Sequence, residues 1–158
     1  MPTTVYLPID FQVPDVRSGQ AYWTVVSGTA KQMGVWEFLS GNEGRIHGYV
    51  HVPNIIAATP AAQVSLVCKT ASNSGNTWFE VQSAAIASGA SFDATLNIDS
   101  GYSVTVPSTA QNRFDILFPS GGTLATTVSG NSVLIVEVRH SGPTTTHLVE
   151  GLLRVDLS

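Results

Sequence analysis

The chain has 158 residues and a formal net charge of −4, and its seven basic residues stand singly from Arg17 to Arg154, which excludes the clustered cations a nucleic-acid interface needs. Its single cysteine, Cys68 in the apolar run VSLVCKT, excludes an intrachain disulfide and reads as a buried, inert thiol. Only 11% of the residues are charged while 33 are Ser or Thr, so the surface is short of the usual protection against self-association.

The first twenty residues, MPTTVYLPIDFQVPDVRSGQ, differ from the rest. Pro2, Pro8 and Pro14 rule out a helix or a central strand, yet Val5, Tyr6, Leu7, Ile9, Phe11 and Val13 are too apolar to remain in water at low cost. Both facts predict an extended N-terminal arm over residues 1–20 whose six side chains dock on a neighbouring subunit or particle, with an arm folded back on its own domain as the alternative. The opening MPTTVYLPID lacks the basic and apolar regions of a signal peptide, and no apolar run reaches the ~18 residues of a membrane helix, so assembly in a cytoplasm is expected, with no membrane partner.

Residues 21–158 read as one all-β domain. Period-two alternation recurs in chain order. Ile46, Gly48, Val50 and Val52 share one face, and Arg45, His47, Tyr49 and His51 the other. Val64, Leu66 and Cys68 align, as do Tyr102, Val104 and Val106, and then Phe114, Ile116 and Phe118. Near the end, Leu134, Val136 and Val138 oppose Glu137 and Arg139, while Leu153, Val155 and Leu157 oppose Arg154 and Asp156. Turn clusters such as SGNEG, NSGN, PSGG and SGP punctuate these runs. The pattern predicts an antiparallel β-sandwich, jelly-roll-like, in which the greasy last segment is a central, core-facing strand. The one helix-tolerant stretch, FEVQSAAIASGASF, is weakened by Gly89 and its serines.

Catalytic signatures are absent from the sequence. It has no phosphate-binding glycine loop, no GxSxG elbow and no HExxH, so the chain reads as a non-enzyme without a cofactor or catalytic residue. His47 and His51 stand about 13 Å apart along a strand, too far to share a metal. His140 and His147 flank SGPTTT and would meet across a hairpin, but two histidines alone make a weak site, and no metal is expected. Asn97 and Asp99 read as turn formers. Trp23, Trp36 and Trp78 sit in strand-like sequence, where core packing is the commoner fate; exposed, they would be sugar-stacking candidates.

The order of segments VWEFLSGNEGRIHGYVHVP, TASNSGNTWFEVQSAAIASGASFD, YSVTVPSTAQNRFDILFP and GNSVLIVEVRHSGPTTTHLVEGLLRVDL resembles a family of small β-sandwich structural proteins of tailed-phage particles over residues 33–157. The resemblance implies a virion protein that acts as a homotrimer. Within it, a capsid cement or decoration protein on the capsid exterior is expected, bound to the major capsid protein and stabilising capsomer junctions. A tail-fibre or appendage domain, or a carbohydrate- or receptor-binding module, is the alternative.

Overall fold

A computed structural model describes residues 3–12, 21–27, 32–54, 56, 61–109 and 112–157. Within them lie eleven strands: β1 (Thr3–Pro8), β2 (Asp10–Phe11), β3 (Tyr22–Ser27), β4 (Gln32–Phe38), β5 (Gly44–His51), β6 (Ala61–Thr70), β7 (Asn76–Ile86), β8 (Asn97–Thr105), β9 (Phe114–Phe118), β10 (Val133–Ser141) and β11 (Thr146–Leu157). They form two antiparallel sheets. One runs β3-β4-β11-β6-β9, with β1 also paired to β11; the other runs β2-β5-β10-β7-β8. The all-β sandwich expected from the alternation is the fold.

Each sheet buries the face that the sequence pattern marks as apolar. Ile46, Leu66, Phe79, Ile116, Phe118, Leu134, Val136, Val138, Leu148, Leu153 and Val155 are essentially inaccessible and form one continuous core between the sheets. Truncating one of these leucines to alanine would cost about 2–5 kcal/mol. The last strand is central: β11 pairs with β6 along one edge and with β4 and β1 along the other. The helix-tolerant stretch is strand up to Ile86 and then a loop, because Val81, Ser83 and Ile86 are held in β7 beside β10.

Three expectations are corrected. The predicted arm, where it is described, lies within its own sandwich. β1 is an edge strand with Val5 opposite Val155 and Leu7 opposite Leu153, and β2 joins the other sheet opposite Gly48 and Tyr49. Proline forbids a central strand but tolerates an edge, and Pro8 is the last residue of β1. Ile9 is buried, and Leu7 and Phe11 pack against the core; Tyr6 alone of the six points outward, while Val13 lies outside the described residues. Second, β10 and β11 belong to different sheets, so His140 and His147 do not face each other across a hairpin. His140 is fully buried between Phe38 and Phe79, and His147 bonds Glu37. Third, Asn97 and Asp99 lie in β8, where Asp99 accepts from the Ala125 amide at 2.7 Å.

Candidate ligand-binding notch

Two strands compete for one edge of β11. β4 takes its first part, with Trp36 and Phe38 opposite Leu148 and Thr146, and β1 takes its second, from Leu152 to Leu157. Between them β11 bulges, its register with β6 shifting between Leu148 and Glu150. On its other edge β4 pairs with β3 from Gln32 to Glu37, and its Gln32–Val35 part runs on beyond β11. The β3–β4 ribbon and β1 therefore diverge, and a notch opens where they part.

Phe11 closes the inner end of the notch. A Cβ placed on Gly151 would lie 2.6 Å from its ring, and one placed on Gly48 of the other sheet would lie 2.7 Å from it. The two glycines make room for one aromatic wedge where the sheets meet. The Ile9 amide donates to the Gly151 carbonyl at 2.9 Å and fixes the crossing from β1 to β2.

The notch is a cavity of about 450 Å³. Trp23 and Trp36 line it from the ribbon, Asp10 and Phe11 from the N-terminal segment, and Val149 to Gly151 from the bulge. Residues directly opposite in an antiparallel pair share a face, so Trp23, Trp36 and Leu148 all project to the inner side of their sheet. Leu148 is in the core, Trp36 packs against it, and Trp23 is 59% exposed. The two indoles meet edge to face. Trp23 also lies across Gly34, where any Cβ would collide with its ring. Asp10 and Glu150 are exposed carboxylates at the rim, and Gln12 donates to Asp10 Oδ2 at 2.9 Å.

This assembly can hold a ring against an aromatic face and accept hydrogen bonds from hydroxyl groups through the Glu150 carboxylate. It unites two of the three tryptophans singled out in the sequence with two of the six apolar side chains of the expected arm, Ile9 and Phe11. Trp78 does not join them. It lies half-buried on β7 of the other sheet, its ring over Gly101. Asp10 and Glu150 gave no signal in the sequence, because only the tertiary crossing of β1 to β2 brings them beside the tryptophans.

A second polar cluster lies on the outer face of the other sheet. Glu137 on β10 is only 5% exposed, and His47 Nε2 lies 2.7 Å from its Oε2. Arg139 Nε donates to its other oxygen, and Arg139 Nη1 lies 3.4 Å from Glu80. Burial alone would raise the Glu137 carboxyl, but the hydrogen bonds and positive charge from His47 and Arg139 outweigh it and hold the group down at about 2.

No protein-family model and no curated protein sequence matches the chain. Its backbone is similar to the CBM22-1 xylan-binding domain of Paenibacillus barcinonensis Xyn10C, at 11% identity and a TM-score of 0.52 over 94% of this chain and 87% of that one. It is also similar to the CBM22-1–GH10 modules of Clostridium thermocellum endo-1,4-beta-D-xylanase 10B in complex with xylohexaose, at 12% identity and a TM-score of 0.53. That match covers 97% of this chain and 28% of the longer two-module chain. At such identities the likeness shows the fold, a two-sheet β-sandwich. Neither neighbour is a virion protein.

Proposed function

We propose that this β-sandwich is a non-catalytic carbohydrate-binding module and that the notch between β1 and the β3–β4 ribbon is its binding site. The observation that carries the reading is the exposed indole of Trp23, braced by Trp36, above a cavity rimmed by Asp10 and Glu150. Tryptophan is the side chain best suited to stack on the apolar face of a sugar ring, and leaving so large a ring in water without a ligand forgoes a few kcal/mol of burial. The Glu150 carboxylate selects for hydroxyl donors. Two structural neighbours, one named a xylan-binding domain and the other a xylanase module pair complexed with xylohexaose, support the same choice of ligand class.

The test is affinity electrophoresis through gels containing soluble xylan, β-glucan, galactomannan or laminarin, followed by calorimetry with oligosaccharides of the retarding polymer. Retardation by one polymer, lost in Trp23→Ala, is the expected result. Equal mobility in every gel would overturn the reading.

The capsid-cement expectation has weaker support. It rests on the strand order of residues 33–157 and a low-charge surface, and the arm it relies on is folded, where described, into its own sandwich. The homotrimer, the shell partner and the virion location go with that reading. A solution mass near three times 16.7 kDa by light scattering, together with no polysaccharide binding, would restore it.

A further inference from the structure

The outward residues of β5 form a row. His47, Tyr49 and His51 alternate with the buried Ile46, Gly48 and Val50, and the row spans about 13 Å from first to last. The connection from β7 to β8 returns over this face of the sheet. Its Leu96 packs on Ala84, Ile86 and Ile135, a small apolar cluster separate from the main core. Phe92, in the same connection, is 62% exposed.

Two cavities flank Phe92. One, of about 340 Å³, has His47, Tyr49, Gln12 and Ile135 in its lining; the other, of about 260 Å³, has His51, Ile86 and Val133. Phe92 lines both, and the β5 row runs past both. The two cavities adjoin at Phe92, on a groove face defined by the β5 row.

The groove has a definite electrostatic character. Beside it, Glu137 is answered by His47 and Arg139, Arg139 also by Glu80, and Arg45 by Glu43. Asp10, directly opposite Tyr49 and bonded to Gln12, and Asp93, next to Phe92 in the chain, add negative charge to this face, so it offers little to a phosphate and accepts hydrogen bonds from hydroxyl groups. It does present aromatic surface on Tyr49 and Phe92 and hydrogen-bonding groups on Gln12 and His51. We propose that this groove is a second binding site, independent of the notch, for a linear uncharged saccharide segment that passes between Tyr49 and Phe92. The ligand class rests on the carbohydrate-binding reading; the site does not depend on the notch.

Four histidines and three tryptophans make the two sites separately visible. The full chain would be titrated with xylohexaose, cellohexaose and laminarihexaose while the imidazole and indole proton resonances are followed by NMR. Occupation of the groove shifts His47 and His51 and leaves the buried His140 and His147 in place. The shifts persist in Trp23→Ala and weaken at least fivefold in Phe92→Ala and in Tyr49→Ala, whose exposed side chains can be removed without opening the core. If the Trp23 indole moves while His47 and His51 do not, the groove is overturned and the notch stands. If only the histidines move, the notch falls and the groove stands. If no resonance moves with any of the three probes, both fall.

Discussion

Trp36 meets Trp23 edge to face, with ring centroids 5.2 Å apart and planes inclined at 66°. The half-buried ring anchors the exposed one, so the two should fail differently. Trp23→Ala is expected to weaken polysaccharide binding at least tenfold, about 1.4 kcal/mol, and to leave the melting temperature within a few degrees. Trp36→Ala should weaken binding and also destabilise the fold by about 1–3 kcal/mol. Calorimetry and urea denaturation on both variants separate the two effects.

Gly151 is a packing residue, because Phe11 occupies the space its Cβ would take. Gly151→Ala should destabilise by about 1–3 kcal/mol. The penalty should shrink in the Gly151→Ala, Phe11→Ala double variant, measured against Phe11→Ala alone. Additive losses would mean that the wedge does not set the cost.

His140 supplies a pH dependence. Burial pushes its imidazole down to about 4, against the pull of the Thr144 backbone. In the unfolded chain the group protonates near its ordinary value of 6.5, so between 6.5 and 4 the unfolded state binds the extra proton. Stability therefore falls as the pH drops through that window, by up to about 3 kcal/mol. Its Nε2 lies 2.8 Å from Thr77 Oγ1, a contact that glutamine can imitate. Urea denaturation at pH 7 and pH 4.5 should show a smaller loss for His140→Gln than for the wild type; equal losses would refute the assignment.

Glu137 acts in a lower window. Its folded value of about 2 lies below the ordinary 4.5, so its stabilising contribution is complete above 4.5 and is lost as the pH falls toward 2. Glu137→Gln should be less stable than the wild type at pH 7, and the gap between them should narrow by pH 3. A gap independent of pH would show that the His47 and Arg139 contacts act by packing alone.

Cys68 is fully buried in β6, and burial, helped by the Asp115 charge, pushes its thiol far above the ordinary range. A thiol-reactive disulfide reagent at pH 8 should modify the native chain only as fast as the chain opens, and at once in 6 M guanidinium. Rapid labelling of the native protein would place the thiol elsewhere.

The sandwich was legible because most strands bury one face and wet the other. Phe114, Ile116 and Phe118 show this, as does the opposition of Ile46, Gly48 and Val50 to Arg45, His47 and Tyr49; β10 departs from it, since Glu137 is buried as well. Two ion pairs follow from the strand pattern itself, since residues two apart on a strand share a side: Glu137 with Arg139 and Arg154 with Asp156. The N-terminal segment is ambiguous in sequence because its prolines and apolar residues are equally consistent with an arm docked on a neighbour and with edge strands folded back on its own domain, as β1 and β2 are. The choice is made by Gly48 and Gly151, far away in sequence, whose missing side chains admit Phe11. The notch was half legible. The tryptophans stood out, but which of them stays in water depends on where β4 leaves β11, and period-two patterning carries no information about strand order.

Both sheets are organised around the last strands described: β10 lies between β5 and β7, and β11 lies between β6 and the β4 and β1 pair. A ribosome making this chain releases the nine flanking strands before either of their central partners exists. Those strands must wait with apolar faces uncovered, and the sandwich closes in a late step that brings distant segments together at once. Such a topology folds slowly and leans on chaperones while it waits. Production of the protein should therefore respond more to growth temperature and translation rate than its final stability alone would suggest.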